Sequence, residues 1–171
     1  LLEDVDLYIA SLLSSLDTQQ DHQQLVQLAH YYLESGQKEF SRLTKPSVLW
    51  QILEMAVFNC ESREQWGLVQ MWASYLLNQT EHQFFVFEDL SDKKRLQLSL
   101  AKSYLNLAKE AKQQIPFMQE DLAEVQMLQV TELKEKAYAL LEKLRSLPND
   151  SGVNAMMRIR AKQLSQQYSL L

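Results

Sequence analysis

Glycine and proline are scarce in this chain of 171 residues, with three of each, and there is one cysteine, Cys60. The glycines, Gly36, Gly67 and Gly152, stand far apart. No glycine-rich loop can therefore bring bare backbone against a phosphate, which excludes nucleotide loops and nucleophile elbows. A lone cysteine closes no internal disulfide and begins no cysteine-rich zinc site, so the fold does not call for an oxidising compartment and cytosol or nucleus is expected. Long apolar runs are missing as well. The longest stretch without charge, between Glu64 and Glu81, contains Gln, Ser and Asn, and no membrane span is expected. No secretory or transit pattern opens the chain. The sequons at Asn78 and Asn149 carry little weight, since such triplets arise often by chance. The chain opens at Leu1 rather than Met, which reads as an excerpt of a longer protein.

Positive charge is thin in the first half. Residues 1–90 hold four Lys and Arg against thirteen Asp and Glu, and residues 91–171 hold thirteen against nine. A net charge of -5 with no concentrated positive field argues against nucleic acid as a partner. An acidic front and a basic back suit contacts with charged protein surfaces, including a head-to-tail homo-oligomer.

What the chain has in abundance is leucine and glutamine, 31 and 20 residues. Both keep their side-chain freedom in a helix, so helices must dominate, and 46% apolar residues suffice for one compact core. Apolar positions recur at three- and four-residue steps nearly throughout, which is the helical period. Seven helices are expected, at about 3–16, 20–35, 46–60, 63–78, 92–114, 118–146 and 151–169, with 37–44 as a continuation of the second. Gly36 ends the second, Pro46 opens the third, and Ser62 with Gln65 forms a capping-box pattern for the fourth. Ser91 is placed as the cap of the fifth helix, which Pro116 stops, and a kink is expected near Thr131 in the sixth. Short links favour antiparallel neighbours. The expectation is a single all-α domain over 1–171 built of helical hairpins, either stacked as an α-solenoid or closed as a bundle.

The second helix reads LVQLAHYYLESG. Its Leu25, Leu28, Ala29, Tyr32 and Gly36 resemble the first helix of a tetratricopeptide repeat, and Val69, Trp72, Ala73 and Leu76, then Leu100, Ala101 and Tyr104, echo it. Ala29, Ala73 and Ala101 are separated by 44 and 28 residues where that family repeats every 34 or so, so the likeness is to a degenerate helical repeat. It implies a groove lined by polar first-helix residues that hold an extended or helical segment of a partner. The matching positions are Gln27, His30 and Glu34, then Gln70, Ser74 and Asn78, then Ser99, Lys102 and Asn106. The plain alternative is that they face water.

Signs of chemistry are sparse. None of His22, His30 and His82 has a Glu three residues before it, so no helical carboxylate metal site is expected. His30 and Glu34 share a helix face, as any surface pair at that spacing does. Cys60 and the tryptophans Trp50, Trp66 and Trp72 read as core, with Trp66 the strongest candidate for a rim anchor. Leu133, Ala137, Leu140, Leu144 and Leu147 form a seam of about two heptads, read as hairpin packing. Lys93, Lys94 and Arg95 crowd a helix N-terminus, where they are expected to be neutralised by Glu88, Asp89 and Asp92 or to form a docking site for an acidic partner or phosphate. The segment from Phe84 to Phe87 puts more apolar surface side by side than one helix face can bury, and Phe85 and Phe87 join the candidate partner contacts.

The expectation is a protein-interaction domain or scaffold, not an enzyme, with no cofactor or metal, that takes a protein or peptide partner. The alternative is a small-molecule-sensing helical domain with a pocket near Trp50, Trp72 and Tyr104.

Overall fold

The computed structural model describes residues 54, 56–81 and 90–171, and all regular structure among them is helical. The first two expected helices, the continuation at 37–44 and the start of the third at Pro46 lie outside the described residues, as do Trp50 and the segment from Phe84 to Phe87. A helical segment over 56–62 leads into α1 (Trp66–Glu81) and α2 (Leu90–Gln114). A 3-10 turn (Ile115–Phe117) follows, then α3 (Glu120–Arg145) and α4 (Gly152–Gln167).

The ends follow from local chemistry. Pro116 lacks the N–H that an α-helix would need and sits in the 3-10 turn that ends α2. Glu120 and Asp121 lie at the positive end of α3 and Lys143 and Arg145 at its negative end, each complementing the helix dipole. Ser151 caps α4, its Oγ accepting from Asn154 N at 3.2 Å.

Two local expectations are corrected. Ser62 does not open a capping box: it lies in the preceding helix, where its Oγ donates to the Asn59 carbonyl at 2.8 Å. The chain instead leaves that helix through Glu64, whose φ is 57°. Glu64 N donates to Glu61 O and Gln65 N to Cys60 O, the paired bonds of a Schellman ending in which glycine is the usual left-handed residue. Ser91 is no cap either, since α2 begins at Leu90. Helix α3 is unbroken at Thr131, whose hydroxyl donates to Met127 O one turn back.

Helix α2 is the middle of the described fold and packs on α1, α3 and α4. Its buried residues fall on two faces. Ala101 and Leu105 join Ala137, Leu141 and Leu144 of α3, Ala161 and Leu164 of α4 and Tyr168 in one core cluster. Leu96, Leu100 and Ser103 are buried too, and at 100° per residue they point about 150° away from the first set. Alanines from three helices in one cluster let the backbones approach closely, while Leu141 and Leu144, each 1% exposed, fill the space between.

Helix directions follow from pairs of contacts. Arg95 lies over Phe58, and Ser99 and Lys102 both reach Glu61, so the segment 56–62 runs parallel to α2. Lys94 bonds Asn154 and Asn106 bonds Tyr168, so α4 is parallel to α2 on its other flank. Gln126 donates to Ala111 O and Lys136 lies 5.9 Å from the Tyr104 ring centre, which sets α3 antiparallel.

Several core readings hold. Cys60 and Trp72 are fully buried, and of the expected α3 seam Ala137 and Leu144 are buried while Leu140 and Leu147 pack against the cluster. Trp66 is corrected from rim anchor to core, at 7% exposure. Of the basic triplet, Arg95 stacks on Phe58 at 3.8 Å and Lys94 donates to Asn154 Oδ1, while Glu88, Asp89 and the Asp92 side chain, its expected partners, lie outside the described residues.

Candidate interaction site

The candidate residues fall on two stripes and one region outside the described residues. Gln27, His30, Glu34, Phe85 and Phe87 belong to that region. Gln70, Ser74 and Asn78 recur every four residues and so share one face of α1, as Ser99, Lys102 and Asn106 share one face of α2.

On α2 the stripe stitches the fold. Ser99, 4% exposed, donates through Oγ to Glu61 Oε2 at 2.8 Å. Lys102 Nζ stands 3.7 Å from Glu61 Oε1 and 5.5 Å from the centre of the Trp66 ring. Since Lys102 keeps over a third of its surface in water, that ion pair contributes no more than about 1 kcal/mol. Asn106 Nδ2 donates to Lys102 O, and its Oδ1 accepts from the Tyr168 hydroxyl at 2.8 Å. Burial pushes the Tyr168 phenol up from its ordinary range; the Asn106 bond opposes this and the nearby Glu64 charge reinforces it.

The α1 stripe is less occupied. Asn78 is exposed and Gln70 half-buried, while between them Ser74 Oγ is shielded from solvent with no hydrogen-bond partner among the described residues. A hydroxyl in that state costs about 1–3 kcal/mol in lost solvation.

Sequence reasoning missed four residues that organise this region: Glu61, Glu64, Asn154 and Tyr168. Asn154, 3% exposed, donates through Nδ2 to Pro148 O and Asp150 Oδ1 and accepts from Lys94, which ties the α3–α4 link to the start of α2. No local signal marks Glu61, Asn154 and Tyr168, whose partners on α2 lie 38 to 62 positions away.

Elsewhere, an open cleft of about 480 Å³ lies between the end of α2 and the turn after α4, lined by Lys109, Lys112, Gln167 and Tyr168. Trp72, expected beside a pocket, is wholly enclosed. Burial lifts the Cys60 thiol to about 11, which makes it inert as a nucleophile at neutral pH. Among the described residues no three His, Cys, Asp or Glu gather as metal ligands, and no helix is long and apolar enough to cross a membrane. Comparison with protein-family models, with curated proteins and with solved structures finds no match.

Proposed function

We propose that this chain is a protein-interaction domain that holds a peptide or protein segment along the polar stripe of α1, with Gln70 and Asn78 as outer contacts and Ser74 as the inner one. The observation that carries the reading is the enclosed, unpartnered Ser74 hydroxyl between two amide side chains. A peptide backbone offers the donor or acceptor that the Ser74 hydroxyl lacks, and a Ser that gains such a bond on binding recovers its desolvation cost. On α2, Lys102 joins the same surface from its place over Trp66.

The helix order supports an open stack. The segment 56–62 and α4 run parallel to α2 and α3 runs antiparallel to it, an alternation that suits stacked helical hairpins. In such a stack each hairpin adds surface to a continuous groove, which is the property of a scaffold.

The test is affinity capture with the wild-type chain and with Gln70→Ala/Asn78→Ala, followed by mass spectrometry and a thermal melt. The reading expects a protein held by the wild type and lost from the double variant at nearly unchanged melting temperature. Equal capture by both forms contradicts it.

A further inference from the structure

Two unpartnered apolar faces on the described helices carry opposite charge. On the outer side of α3, Val125 and Leu128 are 61% and 71% exposed, beside Asp121 and Glu124, and residues 118–133 contain four acids and no Lys or Arg. On α4, Val153, Met156 and Ile159 recur every three residues with 42% to 58% exposure, Lys162 is next in that series and Arg160 lies one turn after Met156. Helix α4 holds three cations and no acid. None of Asp121, Glu124, Arg160 and Lys162 makes an ion pair among the described residues.

These faces complement each other in shape class and in charge, yet one molecule cannot bring them together. Helix α4 returns along α3 from the link at 146–151, with Arg158 donating to Leu147 O, so the α4 strip sits beside the C-terminal end of α3. Leu128 lies seventeen residues before Arg145, about 25 Å along the helix axis. We propose that the occupant of each face is the other face of a second copy of this chain. Acidic-apolar α3 of one protomer lies against basic-apolar α4 of its partner, and a two-fold axis makes the contact twice. The doubling matters, because stable interfaces bury about 1,200–2,000 Å² in all. Exposed apolar strips of this kind otherwise mark association surfaces without use in a monomer.

The test is sedimentation of the full 171-residue chain over a concentration series at low and high salt, with charge reversals on each face. A dimer is expected, weakened by salt because its rim is ionic. Glu124→Lys alone and Arg160→Glu/Lys162→Glu alone should each raise the dissociation constant roughly tenfold or more, and the three changes together should restore it. Leu128→Ser and Ile159→Ser, both at exposed positions, give a second pair of variants whose melts check the fold. A monomer at every concentration overturns the proposal, whether the faces then prove to be covered by residues 1–53 of the same chain or to bind anionic vesicles. A dimer indifferent to both charge reversals overturns it equally.

Discussion

The Tyr168 hydroxyl donates to Asn106 Oδ1 at 2.8 Å and fastens the turn after α4 to the middle of α2, 62 residues earlier in the chain. The same Tyr168 ring is part of the core cluster, so one side chain contributes both apolar packing and a polar tie.

Tyr168→Phe keeps the ring and removes the tie. The expected loss is about 1 kcal/mol, read by urea unfolding, with the core otherwise unchanged. Because burial raises the phenol's pKa in the folded state, its share of stability is intact below about pH 10, the value of a free tyrosine, and is lost as pH rises through the folded value. The variant should therefore show a flatter fall in stability above pH 10 than the wild type.

Cys60 acts in a neighbouring window. Its thiol is raised from 9.0 to about 11, so folding favours the protonated form, and the stability this gives is complete below pH 9 and lost between pH 9 and about 11. A shift of that size corresponds to roughly 2–3 kcal/mol. Cys60→Ala should remove that part of the alkaline decline. In the native protein at pH 7.5, labelling by a thiol reagent should be slow and should match the unfolded rate only after denaturation.

Glu64 holds a left-handed conformation that glycine adopts without a Cβ penalty. Glu64→Gly should therefore stabilise the chain by up to about 1 kcal/mol, since relief of the strain exceeds the entropy glycine adds to the unfolded state. Glu64→Val, branched at Cβ, should destabilise it. Chemical denaturation of the three forms decides, and a less stable glycine variant contradicts the account.

Much of the fold is legible in the sequence because it is local. The leucine period locates α1, α2, α3 and α4 to within three residues at each end, and Pro116 and the 148–151 turn residues mark real breaks. The misreadings are also local. Ser62 and Gln65 have the capping-box spacing, but the Ser62 hydroxyl finds the Asn59 carbonyl first, and Glu64 takes a conformation that no residue preference announces. Interactions across the chain are a different matter. Ser99, Lys102 and Asn106 read as one polar stripe, and that they meet Glu61 and Tyr168 depends on how parallel helices register, which spacing within a helix does not encode. The reverse holds for Asn154, whose burial makes it a hub although its neighbours Val153 and Met156 suggest only an amphipathic helix.

The recognition stripe is tested most directly by Ser74→Ala, measured for both melting temperature and affinity toward the captured partner. Removing an enclosed hydroxyl that has no partner should leave stability unchanged or raise it by about 1 kcal/mol, while the partner's dissociation constant rises several-fold. A variant that melts earlier and binds as well as the wild type would show that the hydroxyl serves the fold alone, and would contradict the account.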